Sequence, residues 1–308
     1  MCGESGPSVT RSAAGSVWWG RLRLDRASLA LVAAATLFGS TFLVMQGAVE
    51  DVEPVPFLVV RFAFGLVVLL PLAARRGRPA PGLVRAGVIA GLALTVGYVL
   101  QTVGLQYTTT SVSAFVTYLL VVFVPLLAAL VLRRPPALAS LVGVGLAVAG
   151  LVLLTTGGGV GLGRGELLTL GCALAFAVHI LVLADVAPRF DVVQLNVVQF
   201  SVVCGVLFVP GLIGGGYRFG AEPLLAALYT GVVVTALAFG LQVWGQRRVS
   251  ATRTALLLLI EPVAAAVLGY LTGERLGLAG AAGALLILGG IVLSEVAATP
   301  VVKRPEEP

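Results

Sequence analysis

Charged side chains are scarce in this sequence: Asp, Glu, Lys and Arg make up only 11% of its 308 residues, against about 25% in soluble globular proteins. Hydrophobic residues make up 58% instead, which is more apolar surface than a soluble core can bury. The same apolar content excludes an intrinsically disordered chain, because such chains are polar enough to stay solvated. The class that remains is a polytopic membrane protein.

Histidine and cysteine are also rare, and this limits the chemistry of the chain. The three cysteines, Cys2, Cys172 and Cys204, are far apart, so neither a disulfide framework nor a metal cluster is indicated. The single histidine, His179, argues against most histidine-based metal sites. We therefore expect no metal and no cofactor. Basic stripes with interleaved aromatic residues are lacking too, so the net charge of +6 does not indicate a nucleic-acid partner.

What the sequence has is a series of long apolar runs without alternating polarity. A helix needs about 20 apolar residues to cross a bilayer, whereas a strand needs about 10 with alternating polarity. The runs therefore predict an all-α polytopic fold with ten transmembrane helices, which leaves no room for a soluble catalytic domain. The predicted spans are 27–48, 55–73, 83–104, 109–132, 137–155, 165–187, 192–211, 222–244, 250–271 and 277–297. The fourth is expected to carry about one extra helical turn.

The arginines predict the orientation of these spans. With the N-terminus in the cytoplasm, sixteen Lys and Arg residues lie on the inner side and only Arg164, Arg218 and Arg275 lie outside. This follows the positive-inside rule, so both tails, 1–26 and 298–308, are expected in the cytoplasm. The first residues lack an apolar segment after a basic start and do not resemble a signal peptide. Arginine outnumbers lysine 19 to 1, which indicates a GC-rich bacterial genome and hence the bacterial inner membrane.

The chain also matches itself at a shift of about 138 residues. This shift aligns Ala34–Phe38 with Cys172–Phe176, and a shift of 137 aligns Val124–Ala129 with Glu261–Ala266. The sequence thus predicts two units of five spans, 27–155 and 165–297. Because five is odd, the second unit enters the membrane from the opposite side. Inverted repeats are typical of secondary transporters, with the substrate site near the midplane between the halves.

Several short motifs stand in order along both halves: Leu37–Phe42 in the first span, Arg61-Phe62 in the second, Leu105–Thr109 ending the third, Ser250–Arg253 opening the ninth, and Glu261-Pro262 followed by Leu271–Leu276 between the ninth and tenth. In these motifs the chain resembles the EamA-type carriers of the drug/metabolite transporter superfamily over about residues 25–300. The resemblance implies ten helices in two inverted halves. It also implies export of small metabolites, often amino acids, or of toxic compounds, usually driven by the proton gradient. The chain departs from the family at Arg133–Pro136, where a Gly-Glu-Arg signature often recurs, and at Phe38, where tryptophan is common.

Three ionisable residues lie well inside predicted spans: Arg61, His179 and Glu261. A charge at the centre of a bilayer costs at least about 2.5 kcal/mol, so each is a functional candidate. Glu261 could bind and release a transported proton, alone or in a relay with His179, or it could be permanently hydrogen-bonded at a kink made by Pro262. His179 could instead be a neutral histidine bonded to a neighbour. Arg61 could bind a substrate carboxylate or extend toward the acidic first outer loop.

Neutral polar residues inside the spans are candidates for a substrate cavity, although each could instead hold two helices together. The candidates are Gln199, Tyr98, Gln101, Tyr118, Asn196, Gln242 and Trp244, with Thr41, Gln46 and Thr117 beside them; Pro125 and Pro262 are the predicted helix breaks. Gln199 occupies the repeat position of Arg61.

The sequence as a whole predicts a secondary active transporter in the lipid bilayer that exports a small metabolite, such as an amino acid, by proton coupling. A drug-efflux carrier is the alternative. An intramembrane enzyme or a sensor is disfavoured, because a catalytic cluster and a soluble output domain are both missing. The substrate and the oligomeric state stay open, a homodimer included.

Overall fold

The computed structural model describes residues 25–131, 138–156, 163–249, 254, 257–273 and 275–298. Every regular element in these ranges is helical. The α-helices are α1 (Arg26–Asp51), α2 (Pro54–Ala74), α3 (Leu83–Leu105), α4 (Thr110–Thr117), α5 (Leu120–Val131), α6 (Leu138–Thr156), α7 (Arg164–Val186), α8 (Val192–Ile213), α9 (Ala221–Tyr229), α10 (Phe239–Gln246), α11 (Ile260–Leu271) and α12 (Gly277–Ala298). A π-helix, Thr230–Ala238, joins α9 to α10, and a 3₁₀ turn, Ala187–Arg189, follows α7.

Local sequence signals set where the helices begin. The side chain of Asp25 accepts a hydrogen bond from the Ser28 amide at 2.7 Å and caps α1. Asp191 caps α8 by accepting from the amides of Val193 and Gln194. These carboxylates satisfy amides that have no partner inside the helix.

Six helical segments among the described residues are long and apolar enough to cross a membrane: Arg26–Met45, Pro54–Ala74, Leu83–Leu105, Arg164–Arg189, Val192–Ile213 and Ala221–Gln246. Four shorter apolar helices accompany them: Thr110–Val124, Leu141–Leu154, Ile260–Leu271 and Gly277–Gly290. The chain is therefore an all-helical, multi-pass membrane protein. Residues 1–24 and 299–308 of the predicted tails, together with Arg133–Pro136 and Ser250–Arg253, lie outside the described residues.

The predicted fourth span is interrupted, but not at Pro125 as predicted. The α-helix stops at Thr117 and resumes at Leu120, and Val121 and Val122 donate to the carbonyls three residues before them. Such tighter bonds mark a short 3₁₀-like turn. Pro125 instead lies inside α5. Pro262 sits in the first turn of α11, where a missing amide costs no intrahelical bond.

Helices of the two predicted five-helix units pack mainly against each other. The most extensive contacts pair α6 with α12, α3 with α7 and α8, and α2 with α8. Segment 221–246 packs on α1 and α2, and α1 also packs on α11. The core of the bundle thus lies between the first and second halves of the chain.

The α6–α12 pair makes a close backbone approach through glycine. A Cβ built on Gly150 would lie 2.6 Å from the carbonyl oxygen of Gly283, and one built on Gly283 would lie 2.6 Å from that of Gly150. Helices in a bilayer associate largely by such close packing of small residues. Gly145 lies on the same helix, but a Cβ built there would have no neighbour within 4 Å.

The Gly150→Ala variant is expected to be less stable by about 1–3 kcal/mol, because its methyl group overpacks the α6–α12 contact. Gly145→Ala is the matched control, since it adds the same methyl to the same helix in open space. The apparent melting temperature of each purified variant in detergent measures the effect. Equal melting temperatures for the two variants would contradict the close approach.

Candidate functional site

A small cavity of roughly 60 Å³ lies among α1, α3, α4, α7, α10 and the start of α11. Its wall has six aromatic rings, six polar side chains and four aliphatic ones. The aromatic residues are Phe38, Phe42, Tyr98, Tyr118, Phe176 and Phe239, the polar ones are Thr41, Gln101, Thr117, His179, Gln242 and Glu261, and the aliphatic ones are Leu94, Leu120, Ile180 and Leu258. Within the described ranges, no basic residue other than His179 lines it.

The cavity gathers eight of the candidate residues that the sequence singled out: Thr41, Tyr98, Gln101, Thr117, Tyr118, His179, Gln242 and Glu261. Four others are not on its wall: Arg61, Gln199, Asn196 and Trp244. Trp244 faces a separate groove, because it lies on a different side of α10 from Gln242. The side chain of Gln46 lies outside what the structure describes.

Glu261 supplies the carboxyl group of the cavity. It is only 9% exposed, and its Oε2 accepts a 2.6 Å hydrogen bond from the hydroxyl of Tyr118. Among the described residues, no arginine or lysine forms an ion pair with it. Its place in the first turn of α11 puts the carboxyl near the positive end of that helix dipole.

Arg61 is fully buried one layer behind the cavity wall. Its Nε donates to Thr235 Oγ1 at 3.0 Å, its Nη1 to Met45 Sδ at 2.8 Å and its Nη2 to Tyr98 Oη at 3.3 Å. The guanidinium carbon lies 4.7 Å from the centre of the Tyr98 ring, within cation–π range. Arg61 therefore does not extend to the acidic outer loop, and that prediction is wrong. It does not line the cavity either, and its binding of a substrate carboxylate stays a prediction. Buried hydrogen bonds hold it in place instead.

The π-helix fits the Arg61 site closely. It carries Thr235, which accepts from Arg61, and Gly231, where an added Cβ would lie 2.5 Å from the Arg61 carbonyl oxygen. A π-helical stretch is wider than an α-helix and is frequent at functional sites. Here the π-helix brings its backbone at Gly231 into close contact with α2 and directs the hydroxyl of Thr235 toward the guanidinium group of Arg61.

His179 lies on α7 and lines the cavity from the second half of the chain. Its Nε2 lies 2.7 Å from Gln199 Oε1, and Gln199 in turn donates to Asn196 Oδ1 at 3.1 Å. The ring thus bonds to a neutral amide and not to Glu261, as expected for a histidine satisfied by a neighbour. Gln199 and Asn196 position His179 and do not line the cavity.

The phenylalanines of the cavity wall were not among the candidates predicted from the sequence, whereas Thr41 was. Thr41 is buried at the cavity wall, and its Oγ1 has no hydrogen-bond partner among the described residues. The rings of Phe176 and Phe239 pack edge-to-face against Tyr98 and Phe38, with centroids 5.3 and 5.0 Å apart. The internal repeat carried a signal for Phe176, because it aligns with Phe38 and both line the cavity.

Comparison with known proteins identifies the family. The model of the EamA-like transporter family matches the chain twice, over residues 25–156 and 163–295. The chain belongs to this family. The resemblance found in the sequence motifs is thereby confirmed, and with it a transporter in a lipid bilayer that handles a small molecule.

Relatives of this EamA-like transporter agree with the assignment. An uncharacterized transporter of Archaeoglobus fulgidus is 30% identical over 239 residues, which cover 77% of this chain and 75% of the relative. A second uncharacterized transporter of the same organism is 28% identical over 280 residues, or 90% of this chain and 98% of the relative. A solved crystal structure shares the fold with a TM-score of 0.67 at 20% identity, covering 87% of this chain and 97% of that one.

The Tyr98→Phe variant is expected to lose about 1–3 kcal/mol of stability, because it removes a buried hydrogen bond to the charged Arg61 and keeps the ring. The matched control is Tyr229→Phe, which removes a 2.8 Å bond to Ser40 at an exposed site. Melting temperatures in detergent compare them. If the melting temperature of Tyr229→Phe falls as far as that of Tyr98→Phe, the hydrogen bond between Tyr98 and Arg61 has no special importance for stability.

Proposed function

We propose that this EamA-like transporter is a secondary active carrier that exchanges protons for a small amine-bearing metabolite, such as an amino acid, and exports it across the bacterial inner membrane. The observation that carries the proposal is the carboxyl group of Glu261, held in a buried cavity walled by aromatic rings.

The helix pairings support two inverted five-helix units, 27–155 and 165–297, with ten spans in all. A shift of 138 residues aligns α3 with segment 221–246, and it aligns α1 and α2 with α7 and α8. The packing of α3 on α7 and α8 therefore corresponds to the packing of segment 221–246 on α1 and α2. The family model also matches each half separately. Both halves supply cavity residues, Tyr98 and Gln101 from the first and His179 and Glu261 from the second. Rocking of one half against the other would open the cavity to each side in turn.

The proposed coupling follows from competition for one carboxyl group. When the cavity faces a compartment and fills with water, Glu261 releases its proton, and its carboxylate then binds the ammonium group of the substrate. A proton and a substrate cation cannot occupy the carboxylate together, so movement of one requires release of the other. The hydroxyl of Tyr118, 2.6 Å from Oε2, orients the carboxyl group through the cycle.

The aromatic wall gives a second candidate function, efflux of a lipophilic cation. Aromatic faces stabilise cations, and Glu261 is the only carboxylate that the described residues place on the wall. A substrate carboxylate would have to bind the neutral groups Gln101, Gln242 or Thr41, because Tyr98 separates Arg61 from the cavity. An amino acid therefore relies on amides and hydroxyls for its acidic end, whereas a lipophilic cation needs no such partner.

The membrane orientation proposed here has both termini in the cytoplasm. The arginines at the N-terminal end of α1, the C-terminal end of α2 and the C-terminal end of α10 then lie on the cytoplasmic side, in agreement with the positive-inside rule.

The Glu261→Gln variant is expected to lose pH-gradient-driven uptake in proteoliposomes and to fall to the level of protein-free liposomes, because an amide cannot exchange a proton. The probes are labelled amino acids and tetraphenylphosphonium. Glu166→Gln is the matched control, since Glu166 also accepts a 2.6 Å hydroxyl bond, from Thr108, but lies outside the cavity.

Gradient-driven uptake that persists in Glu261→Gln at the level of Glu166→Gln would overturn the coupling role. The two candidate substrates separate in the same assay. Uptake of amino acids supports metabolite export, and uptake of tetraphenylphosphonium alone supports cation efflux.

A further inference from the structure

A second depression, distinct from the aromatic cavity, lies between the start of α1 and the start of α8, with α10 as its floor. Three arginines line it: Arg26 from α1, Arg76 after α2 and Arg247 after α10. All three lie at the end of the bundle assigned to the cytoplasmic side. We refer to it as the arginine groove.

The arginine groove carries an excess of positive charge. Its carboxylate, Asp191, lies 4.0 Å from Arg76 and already accepts hydrogen bonds from the amides of Val193 and Gln194 at 3.0 and 3.1 Å. Three guanidinium groups thus share the groove with one carboxylate that is engaged in capping α8. This charge pattern fits an anion.

Below the arginines the groove becomes apolar. Its wall continues along Leu29, Leu237, Leu241 and Trp244, and the side chains of Leu29 and Leu237 are half exposed. From Ala236 at the end of the π-helix to Arg247 after α10, the floor covers about 16 Å at a rise close to that of an α-helix, so the groove extends from the charged end well into the hydrocarbon region.

We propose that the arginine groove binds one anionic phospholipid of the cytoplasmic leaflet. Its phosphate lies among Arg26, Arg76 and Arg247, and an acyl chain runs along Leu29, Leu237 and Trp244. A free anion would use only the charged end, whereas a lipid uses both ends of the groove. Basic residues at this level attract anionic headgroups.

The site places the lipid against the wall of the substrate cavity. On α10, Gln242 faces the cavity, whereas Leu241 and Trp244 face the groove. A lipid seated in the groove therefore braces the helix that carries a cavity residue.

The fluorescence of Trp244 can report whether a lipid occupies the groove. A variant with Trp18→Phe and Trp19→Phe keeps Trp244 as its only tryptophan. It is reconstituted in phosphatidylcholine vesicles that contain phosphatidylglycerol or phosphatidylcholine with dibrominated acyl chains, and quenching of Trp244 fluorescence reports lipid in the groove. We expect about tenfold tighter apparent binding of the brominated phosphatidylglycerol than of the phosphatidylcholine.

The arginine variant for this test is Arg26→Gln/Arg76→Gln/Arg247→Gln in the same background, which is expected to lose the preference for phosphatidylglycerol. The matched control is Arg75→Gln/Arg78→Gln/Arg85→Gln, which removes equal charge from exposed positions at the same end of the bundle but outside the groove, and it should retain the preference. Excess inorganic phosphate should leave the quenching unchanged.

Three results would overturn the proposal. The first is equal quenching by the two brominated lipids in the protein with all arginines intact. The second is an equal loss in both triple variants, which would mean a diffuse charge effect. The third is relief of quenching by inorganic phosphate, which would mean that the groove takes a free anion.

Discussion

A guanidinium group that is buried and held by neutral partners is the constraint on which the centre of this bundle depends. Arg61 is fully buried, and its described donors reach Met45, Tyr98 and Thr235 on three different helical segments. Leaving such a group unsatisfied would cost far more than an ordinary hydrogen bond contributes. The bonds of Arg61 therefore fix α1, α3 and the π-helix against α2, and they tie the first half of the chain to the second.

The aromatic cavity follows from this arrangement. Tyr98 bonds to Arg61 with its hydroxyl and packs edge-to-face against Phe62 and Phe176, so the same ring shields the cation and forms the cavity wall. On the far side, Gln199 and Asn196 hold His179, and Tyr118 holds Glu261. The cavity is left with a carboxyl group, neutral polar groups and aromatic faces. That composition is the physical basis for a site that binds an ammonium group or a proton in turn.

The sequence was sufficient for the membrane class, most helix positions and the two titratable cavity residues, because these follow from hydropathy and from the cost of placing a charge at mid-membrane. The partners of Arg61 were not predictable, since Thr235 is 174 positions away and joins it only by tertiary packing. Trp244 was misassigned because α10 is apolar on more than one face, so periodicity does not tell which face meets the cavity. The helix break was predicted at Pro125, but it lies at Tyr118 and Leu119, where the chain forms a 3₁₀-like turn.

The central claim is that the carboxyl group of Glu261 exchanges a proton in the folded protein. Infrared spectroscopy of the protein in a bilayer, recorded across a pH titration, tests this directly through the carbonyl band of a protonated carboxyl group. The account predicts a band that disappears as the pH rises, is absent from Glu261→Gln and persists in Glu166→Gln. If no titrating band depends on Glu261, then this residue only holds the start of α11 and proton coupling does not pass through it.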